Sequence, residues 1–320
     1  MTPVNRDRTP LVALTGGTGF IGRHVAAALA RAGWQVRMLA RRDAIHPLLA
    51  TVPLELVLGD LGDEAALARL LRGADAIVHL AGLTKAPDLD AFLRVNRDGA
   101  GLLATVAARE APGGRCILMS SLAAREPAIS AYAASKRAGE DAVRAARGGA
   151  AWTILRPGVV YGPGDIEGMA LRRLASSRLV PVPSPEPRIA MIHVADLAGA
   201  VAALCGAPAP GGNFELSDAR NEGYGFGDVL GLTAELLGHP PPRRIPLPDP
   251  VFQAAGLAAD LISGLTRRRG IFGRGKVREL LHRQWHTDPA LSLPSALWAP
   301  GITLRDGMAE TVRWWQTGAR

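Results

Sequence analysis

Three evenly spaced glycines separate a short aliphatic run from an amphipathic helical pattern near the start of the chain. The stretch reads LVALTGGTGFIGRHVAAALARAGW from residue 11, and Gly16, Gly19 and Gly22 give the spacing G-x-x-G-x-x-G. In a loop placed after a strand and before a helix, Gly16 allows a tight turn, Gly19 lets the backbone approach a pyrophosphate, and Gly22 allows close helix–strand packing. The helix N-terminus then faces the phosphates. The stretch predicts the first βαβ unit of a dinucleotide-binding sheet; a purely structural turn is the other interpretation.

The first half of the chain alternates short aliphatic or β-branched runs with longer helical patterns rich in Ala, Leu and Arg. Strands are predicted at 10–15, 35–39, 54–58, 75–80, 115–119 and 152–156. Helices are predicted between them, at 20–32, 63–72, 90–109 and 130–147. Strands separated by helices form right-handed βαβ units, which put helices on both faces of a parallel sheet. The predicted fold class is α/β, with a Rossmann-like, doubly wound parallel sheet.

The composition of the chain changes after residue 157, where proline and glycine become frequent. They cluster at 157–164, 181–187, 207–212 and 239–250 and separate the helical patterns by irregular turns. We therefore expect a smaller C-terminal substrate lobe over the open edge of the sheet, where ligands of such sheets bind. The predicted division is a dinucleotide-binding domain at 1–157, to which 189–205 returns, and a substrate-binding lobe at 158–188 and 206–320.

The end of the second predicted strand bears on the choice between NAD and NADP. An acidic residue there binds the ribose 2′-hydroxyl, whereas arginine accommodates a 2′-phosphate. The strand runs QVRMLARRDA, so Ala40 stands where the acid is expected and Arg41 and Arg42 follow it. Asp43 comes late and serves NAD only if the turn is unusual. The pattern favours NADPH/NADP as cofactor, and NAD is the less favoured alternative.

Tyrosine and lysine are both rare in this chain. It has three tyrosines, and only three of its 37 Lys and Arg residues are lysines. One of each falls in AYAASKRAGE, where Lys136 follows Tyr132 by four residues on a predicted helix. Positions i and i+4 lie on one helix face, so the phenol and the ammonium can point at the same spot. A nearby cation lowers the pKa of a phenol, which suits proton transfer. The other interpretation is a solvated lysine beside a half-buried tyrosine.

Motifs spread over residues 10–205 together resemble one known family. They are TGGTGFIG (15–22), GDLGD (59–63), HLAG (79–82), RVNRDG with Asn96, SS (120–121), YAASK (132–136), RPGVVYGPGD (156–165) and IHVADLA (192–198). On these residues the chain resembles the extended short-chain dehydrogenase/reductase family, also called the NAD-dependent epimerase/dehydratase family. No single motif is specific, but the set is.

The resemblance implies a role for each matching position. Tyr132 is the expected acid/base, Lys136 lowers its pKa and holds the nicotinamide ribose, and Ser121, beside Ser120, hydrogen-bonds the substrate oxygen. His193 matches a position that lines the site, where a structural role is at least as well supported. The expected cofactor contacts are the loop residues Gly16, Thr18, Gly19, Phe20, Ile21 and Gly22, the arginines Arg41 and Arg42, Asp60 and Leu61 at the adenine, Ala81, Gly82, Asn96, Tyr132 and Lys136, and Pro157, Val159 and Val160 at the nicotinamide.

The sequence differs from well-known members of this family at positions that limit the class of substrate. Dehydratases carry an Asp–Glu pair where Leu122 and Ala123 stand here, and the segment GGNFELSDARNEGYGFGDVLG does not resemble the usual sugar-nucleotide stretch. The pattern is more similar to the bacterial branch that reduces a 3-keto group on long-chain sphingoid or ceramide lipids. The expected activity is an NADPH-dependent ketoreductase acting on such a lipid. A nucleotide-sugar epimerase or reductase, and a non-catalytic NADPH-binding accessory protein, are the alternatives.

An apolar helical pattern at 249–265 is followed by a basic stretch at 267–283 in a chain of formal net charge +8. This combination suits a surface that rests on an anionic membrane, and a buried helix followed by a solvated basic loop is the other interpretation. No basic tract has the aromatic interleaving of a nucleic-acid binder, and no signal peptide or spanning segment is predicted. Cys116 and Cys205 lie in apolar runs without metal-ligand spacing, so we expect buried free thiols and no metal. The predicted location is the cytoplasm, with contact at the inner face of the membrane and oligomerisation left open.

Overall fold

The computed structural model describes residues 8–146, 151–208, 210–266 and 273–318, without the side chains of 262–266. The first half alternates strands and helices as the pattern predicts. In chain order the elements are β1 (Leu11–Thr15), α1 (Phe20–Arg31), β2 (Gln35–Ala40), β3 (Leu54–Leu58), α2 (Glu64–Leu71), β4 (Ala76–His79), α3 (Leu89–Leu93), α4 (Ala100–Glu110), β5 (Arg115–Met119), α5 (Ala131–Ala145) and β6 (Trp152–Pro157). Short 3₁₀ turns lie at Pro47–Leu49 and Leu122–Arg125, and a π-helical turn at Arg94–Gly99.

The second half contributes shorter and less regular elements. They are β7 (Val159–Tyr161), α6 (Met169–Ala175), β8 (Leu179–Pro183), β9 (Arg188–Ile189), β10 (Met191–His193), α7 (Val194–Gly206), β11 (Gly212–Leu216), β12 (Tyr224–Gly225), α8 (Phe226–Leu236), β13 (Arg243–Leu247), α9 (Asp249–Thr266), α10 (Arg274–Leu281), β14 (Gln284–Trp285) and α11 (Leu304–Thr317), with a 3₁₀ turn at Pro289–Leu291. Small sheets join β7 with β10, β8 with β13, and β9 with both β12 and β14.

One parallel sheet of seven strands organises the molecule. Its order is β11-β6-β5-β4-β1-β2-β3, and each neighbouring pair runs parallel. The strand order reverses between β1 and β4, which is where a doubly wound sheet opens a crevice for ligands. The predicted fold class is confirmed. The seventh strand, β11, is not among the predicted strands, and it lies inside the range expected to form the substrate lobe.

Helices cover both faces of this sheet and bury its strands. All five residues of β1 are buried, which explains why the strand is a continuous aliphatic run rather than an alternating one. Helices α1 and α7 pack on one face, through side chains that include Val25, Leu29, Val201 and Leu204. Helices α2, α4 and α5 pack on the other, through side chains that include Leu67, Leu70, Leu103, Val106 and Val143.

Local signals set where several helices begin. The side chain of Asp63 accepts a hydrogen bond from the Ala66 amide and starts α2, and Ser130 does the same with the Ala133 amide and starts α5. The single helix predicted at 90–109 is instead divided into α3, the π-helical turn and α4. The π-helical turn lies where α5 approaches closely, since a Cβ added at Gly139 would stand 2.3 Å from the Asn96 carbonyl oxygen.

Both cysteines are free and buried, as predicted. Burial raises the pKa of each thiol to about 12, because it disfavours the thiolate. Within the described ranges, no helix combines the length and apolar character needed to cross a bilayer.

Candidate active site

Two of the three loop glycines stand where any side chain would collide with backbone. Gly16 has φ of 73°, and a Cβ on it would lie 2.5 Å from the Ala81 amide nitrogen at the end of β4. A Cβ on Gly22 would lie 2.1 Å from the Gly16 carbonyl oxygen. The loop is therefore pressed against both its own helix and the neighbouring strand end, which places it at the crevice between β1 and β4.

The first turn of α1 is suited to an anionic group. Gly19 is the N-cap and supplies no side-chain cap, and the first turn carries no acidic residue. Thr18 precedes the cap residue, and Phe20 and Ile21 are the first two residues of the helix. Backbone amides without a side-chain partner and the positive end of the helix dipole favour a phosphate here. Together with the close approach of Gly16 and Gly22, these features fit a dinucleotide pyrophosphate.

A cavity of about 520 Å³ opens beside this loop, at the end of β2. It is lined by Arg41 and Arg42, as the strand pattern leads us to expect, and also by Asp43. Arg23 and His46 line the same cavity and were not predicted. The Nδ1 atom of His46 accepts from the Leu48 amide at 3.1 Å, so the neutral ring carries its hydrogen on Nε2 and can donate from there.

Two further predicted contacts lie in the turn that follows β3. The side chain of Asp60 accepts from the Gly62 amide at 2.8 Å, which shapes this turn. Leu61 packs on the π-helical turn, since a Cβ on Gly99 would stand 3.0 Å from the Leu61 side chain. Both residues follow a parallel strand at its carboxyl end, on the ligand-binding edge of the sheet.

Both polar atoms of the Asn96 side chain are used in hydrogen bonds within the protein. Its Oδ1 accepts from the Leu83 amide at 2.7 Å, and its Nδ2 donates to the Leu83 carbonyl and to the Ser135 hydroxyl. It thereby fixes the segment after β4, in which Ala81 meets the glycine loop and Gly82 approaches Lys136. A Cβ on Gly82 would stand 3.7 Å from the Lys136 ammonium.

The predicted catalytic side chains come together at the start of α5. Tyr132 and Lys136 share one face of this helix, and the Ser121 hydroxyl lies close enough to the Tyr132 phenol to influence its pKa. Ser121 also caps the 3₁₀ turn after β5, where its Oγ accepts from the Ala123 amide at 3.2 Å. The Lys136 ammonium donates to the Met119 carbonyl at 2.6 Å. The three groups thus stand at the carboxyl end of β5, next to the glycine loop.

Burial shifts the pKa values of both Tyr132 and Lys136 away from their ordinary values. It raises the pKa of the Tyr132 phenol, and the hydrogen bond with Ser121 opposes this increase. It lowers the pKa of Lys136 to about 8, although the negative charge of Glu140 opposes this decrease. The pairing with Lys136 was expected to lower the phenol pKa; in the structure burial outweighs any such effect, and Tyr132 is held in its protonated form.

The predicted nicotinamide wall forms where the chain leaves the sheet. Pro157 ends β6, and a Cβ on Gly158 would stand 2.3 Å from the Ala190 carbonyl oxygen, which forces a close turn into β7. Val159 is half exposed at this edge and Val160 is partly buried. His193 is buried, and its Nδ1 accepts from the Ala195 amide at the start of α7, which is a structural role.

Two packed helices of the C-terminal region, α9 and α10, reach the start of α5, which carries the predicted catalytic side chains. Ser130, the cap of α5, donates to the Glu279 carboxylate of α10 at 2.5 Å. Helix α9 packs on α10, since a Cβ on Gly256 would stand 2.8 Å from the Val277 side chain. The other face of α9 is apolar and open, with Val251, Leu257 and Leu261 exposed by 46%, 46% and 61%. The arginines at 267–269 lie outside the described residues.

Comparison with known proteins places these motifs in one family. Residues 12–216 match the model of the NAD dependent epimerase/dehydratase family. The chain is 48% identical to a protein of Caulobacter vibrioides named "Ceramide reductase". The alignment spans 312 residues and covers 97% of this chain and 96% of that protein.

Solved structures agree on the fold. The crystal structure of gox2253 superposes with a TM-score of 0.78 at 22% identity and covers 98% of this chain and 99% of that chain. The human epimerase family protein SDR39U1, solved with NADPH, superposes with a TM-score of 0.70 at 20% identity, over 95% of this chain and 98% of that chain. At these identities the likeness concerns the fold alone.

Proposed function

The chain belongs to the NAD dependent epimerase/dehydratase family, and within it we propose that this enzyme is an NADPH-dependent ketoreductase acting on a long-chain sphingoid or ceramide-type ketone. The observation that carries the reductase proposal is the meeting of Ser121, Tyr132 and Lys136 beside a glycine loop that fits a dinucleotide. The substrate proposal is supported by 48% identity, over nearly the whole of both chains, to a protein named ceramide reductase.

The protonation states of the site suit the reduction of a ketone. A bound reduced nicotinamide supplies the hydride for the carbonyl carbon. The Tyr132 phenol, whose pKa is raised by burial, donates its proton to the carbonyl oxygen, and the Ser121 hydroxyl donates a hydrogen bond to the same oxygen. The Lys136 ammonium stabilises the phenolate that remains. The carbonyl thus gains a hydride and a proton and becomes a secondary alcohol.

We assign the cofactor contacts to the residues that surround the crevice. The amides at the start of α1 hold the pyrophosphate, Arg41 and Arg42 bind a 2′-phosphate, and Arg23 and His46 add donors in the same cavity. The other contacts are those the family pattern implies, namely Asp60, Leu61, Ala81, Gly82, Asn96, Lys136, Pro157, Val159 and Val160. Three arginines and the neutral His46 ring line this cavity with a single carboxylate, that of Asp43, and this excess of positive charge supports NADPH over NADH.

The lipid substrate is assigned to the C-terminal region. We propose a substrate lobe at 158–188 and 206–320, apart from β11, which belongs to the sheet. Its α9–α10 hairpin touches the cap of the catalytic helix and leaves an apolar face exposed, which suits the uptake of a lipid from an anionic membrane surface such as the inner leaflet.

A direct assay tests this function. The purified protein is incubated with NADPH and either a 3-keto long-chain amide or a UDP-sugar, and oxidation of NADPH is followed together with the mass of the product. We expect a gain of two mass units for the lipid ketone and no reaction with the sugar nucleotide. Turnover of the sugar nucleotide with no reaction of the lipid ketone contradicts the proposal.

Two tyrosine variants form a matched pair in that assay. Tyr132→Phe removes the proton donor, and we expect a loss of about 10²-fold or more, the usual scale of general acid catalysis. Tyr161→Phe removes a buried hydroxyl that has no hydrogen-bond partner among the described residues, so we expect near-native turnover. Equal activity of the two variants overturns the role of Tyr132.

A further inference from the structure

A fully buried carboxylate lies behind the catalytic side chains and has no part in the mechanism above. Glu140 is on α5, four residues after Lys136 and eight after Tyr132, so all three share one face of the helix. Carboxylates are rarely buried completely unless they are paired, because desolvation disfavours the charged form. Its partners therefore indicate why the chain keeps a charge at this position.

Both oxygens of Glu140 accept from side chains at the neighbouring strand ends, and one of them also accepts from Arg144 of the same helix. Oε1 accepts from the Ser120 hydroxyl at 2.6 Å and from Arg156 Nε at 2.8 Å. Oε2 accepts from Arg156 Nη2 at 2.6 Å and from Arg144 Nη2 at 3.3 Å. The paired Arg156 contacts form a bidentate pair, which fixes direction as well as distance.

These partners stand next to the residues assigned to the reaction. Ser120 directly precedes Ser121, and its amide donates to the Leu155 carbonyl at 2.7 Å. Arg156 directly precedes Pro157 at the nicotinamide wall. Glu140 thus ties α5 to the carboxyl ends of β5 and β6, where hydroxyl, phenol and cofactor have to meet.

The charge of Glu140 acts on Lys136 as well. Burial lowers the pKa of Lys136, and Glu140 is the acidic group that opposes this effect. From β4, His79 faces the same ammonium; its own pKa is lowered to about 3, first by burial and then by Lys136, so it brings no charge. From β6, Arg156 is held against Glu140, and Glu215 of β11 adds negative charge beside that arginine.

We propose that Glu140 is a positioning residue of the catalytic centre, whose carboxylate fixes Ser120 and Arg156 in place and whose charge keeps the Lys136 ammonium protonated. The inference rests on the proposed role of Lys136 in the reduction. It predicts that removal of the charge alone, with little change of shape, weakens the centre most at mildly alkaline pH.

The three lysines of the chain allow a direct measurement. In protein labelled with ¹³C at lysine Cε, Lys136→Arg identifies the Lys136 signal by its loss. In the native protein this signal is expected to titrate with a pKa of about 8. In Glu140→Gln it is expected to titrate about one pH unit lower, because an opposite charge nearby is gone.

Further variants separate charge from shape and from failure to fold. Asp141→Asn removes a carboxylate from the adjacent, exposed position of α5, and we expect no shift of the Lys136 titration. Glu140→Asp keeps the charge and is expected to retain most of the native pKa. If Glu140→Gln unfolds because Arg156 is left unpaired, the double variant with Arg156→Gln is compared with Arg156→Gln alone, so that the two proteins differ only in the Glu140 charge; the Lys136 titration is expected to lie lower in the double variant.

The rate of ketone reduction against pH completes the test. Lys136 carries its proton below its pKa and loses it as pH rises through that value, so the alkaline limb should move to lower pH in Glu140→Gln. A shift of one unit from pH 8 reduces the protonated fraction at pH 8 about fivefold. A Lys136 titration unchanged in folded Glu140→Gln overturns the inference. A shifted titration with an unmoved rate profile upholds the charge effect and instead overturns the role of Lys136 in the reduction.

Discussion

At the scale of single residues, the cavity proposed to hold the cofactor concentrates positive charge at the end of β2. Arg41 and Arg42 follow the strand directly, Arg23 reaches the cavity from the first turn of α1, and His46 presents a ring that can donate from Nε2. Guanidinium groups match a phosphate with paired hydrogen bonds, and a ribose hydroxyl offers them much less. The proposed preference for NADPH should therefore depend on the arginines more than on any other contact.

We expect Arg41→Ser combined with Arg42→Ser to weaken NADPH binding by about 10- to 100-fold, as for the loss of one or two charge-assisted hydrogen bonds. NADH binding should change little, because its ribose carries no phosphate. Quenching of intrinsic tryptophan fluorescence measures both dissociation constants. Arg31→Ser, at the far end of α1, is the control with the same type of charge loss. Tighter binding of NADH than NADPH by the native protein contradicts the assignment and points to Asp43.

Some residue properties could not be predicted from the sequence because they depend on packing. The helix spacing of Tyr132 and Lys136 was predictable, but the direction of the phenol pKa was not, since it follows from burial between segments distant in the chain. Arg23 directly follows the last loop glycine, which is a signal that could have indicated it. His46 gives no such signal, because only the fold brings its turn to the cavity.

At the scale of elements, α5, the proposed catalytic helix, and α10 of the C-terminal region both contact the Ser130 hydroxyl. Ser130 accepts from the Ala133 amide at 3.1 Å as the cap of α5 and donates to Glu279 of α10 at 2.5 Å. The two contacts can be separated by substitution. Ser130→Ala removes both, whereas Glu279→Ala removes only the contact with α10.

We expect Glu279→Ala to raise amide hydrogen exchange in α10 about tenfold, which corresponds to one lost hydrogen bond. Exchange at the start of α5 should stay native, because Ser130 still caps it. Ser130→Ala should raise exchange in both helices and lower the free energy of unfolding by about 1 kcal/mol. Lys276→Met removes the exposed ion pair with Glu279 alone and is expected to change little. Native exchange of α10 in Glu279→Ala refutes this role of the contact.

Strands of the first half were predictable because buried parallel strands are continuous aliphatic runs of five or six residues. The division of the predicted helix at 90–109 was not, since it arises where Gly139 of α5 meets the Asn96 carbonyl. Strand β11 was also missed. Its sequence, GNFEL, has little periodicity, and its place in the sheet depends on pairing with β6.

At the scale of the whole molecule, the C-terminal region is assembled from contacts between distant segments. Strand β9 has only two residues, Arg188 and Ile189. It pairs with β12 at Tyr224–Gly225 and with β14 at Gln284–Trp285, both of which are distant from it in the sequence. Such short strands carry no readable alternation, so only their turns were predictable. The apolar character of 249–265 was readable, and the structure adds that part of this helix faces solvent.

Two features of the molecule support the proposed contact with a membrane surface. The open face of α9 presents Leu257 and Leu261, whose burial in a bilayer interface is favourable by roughly 25 cal/mol per Å² of apolar area. The segment that follows is basic in sequence, and each Lys or Arg near anionic headgroups adds about 1 kcal/mol. The electrostatic part is screened within about 8 Å at physiological ionic strength, so binding should weaken as salt rises.

We therefore expect the protein to cosediment with anionic phosphatidylserine-containing vesicles at low salt and much less with neutral phosphatidylcholine vesicles. Arg267→Ser, Arg268→Ser and Arg269→Ser together should reduce this binding and leave NADPH affinity native, because the cofactor cavity lies at the end of β2. Leu257→Gln with Leu261→Gln should also reduce vesicle binding without unfolding the chain, since both side chains are already exposed.

The control is the triple change of Arg69, Arg72 and Arg109 to Ser, which removes the same charge from α2, its C-cap and α4. Equal binding to both vesicle types, or an equal loss in the control, would assign the basic segment to an ordinary solvated loop and remove the membrane from the proposed route of the lipid substrate.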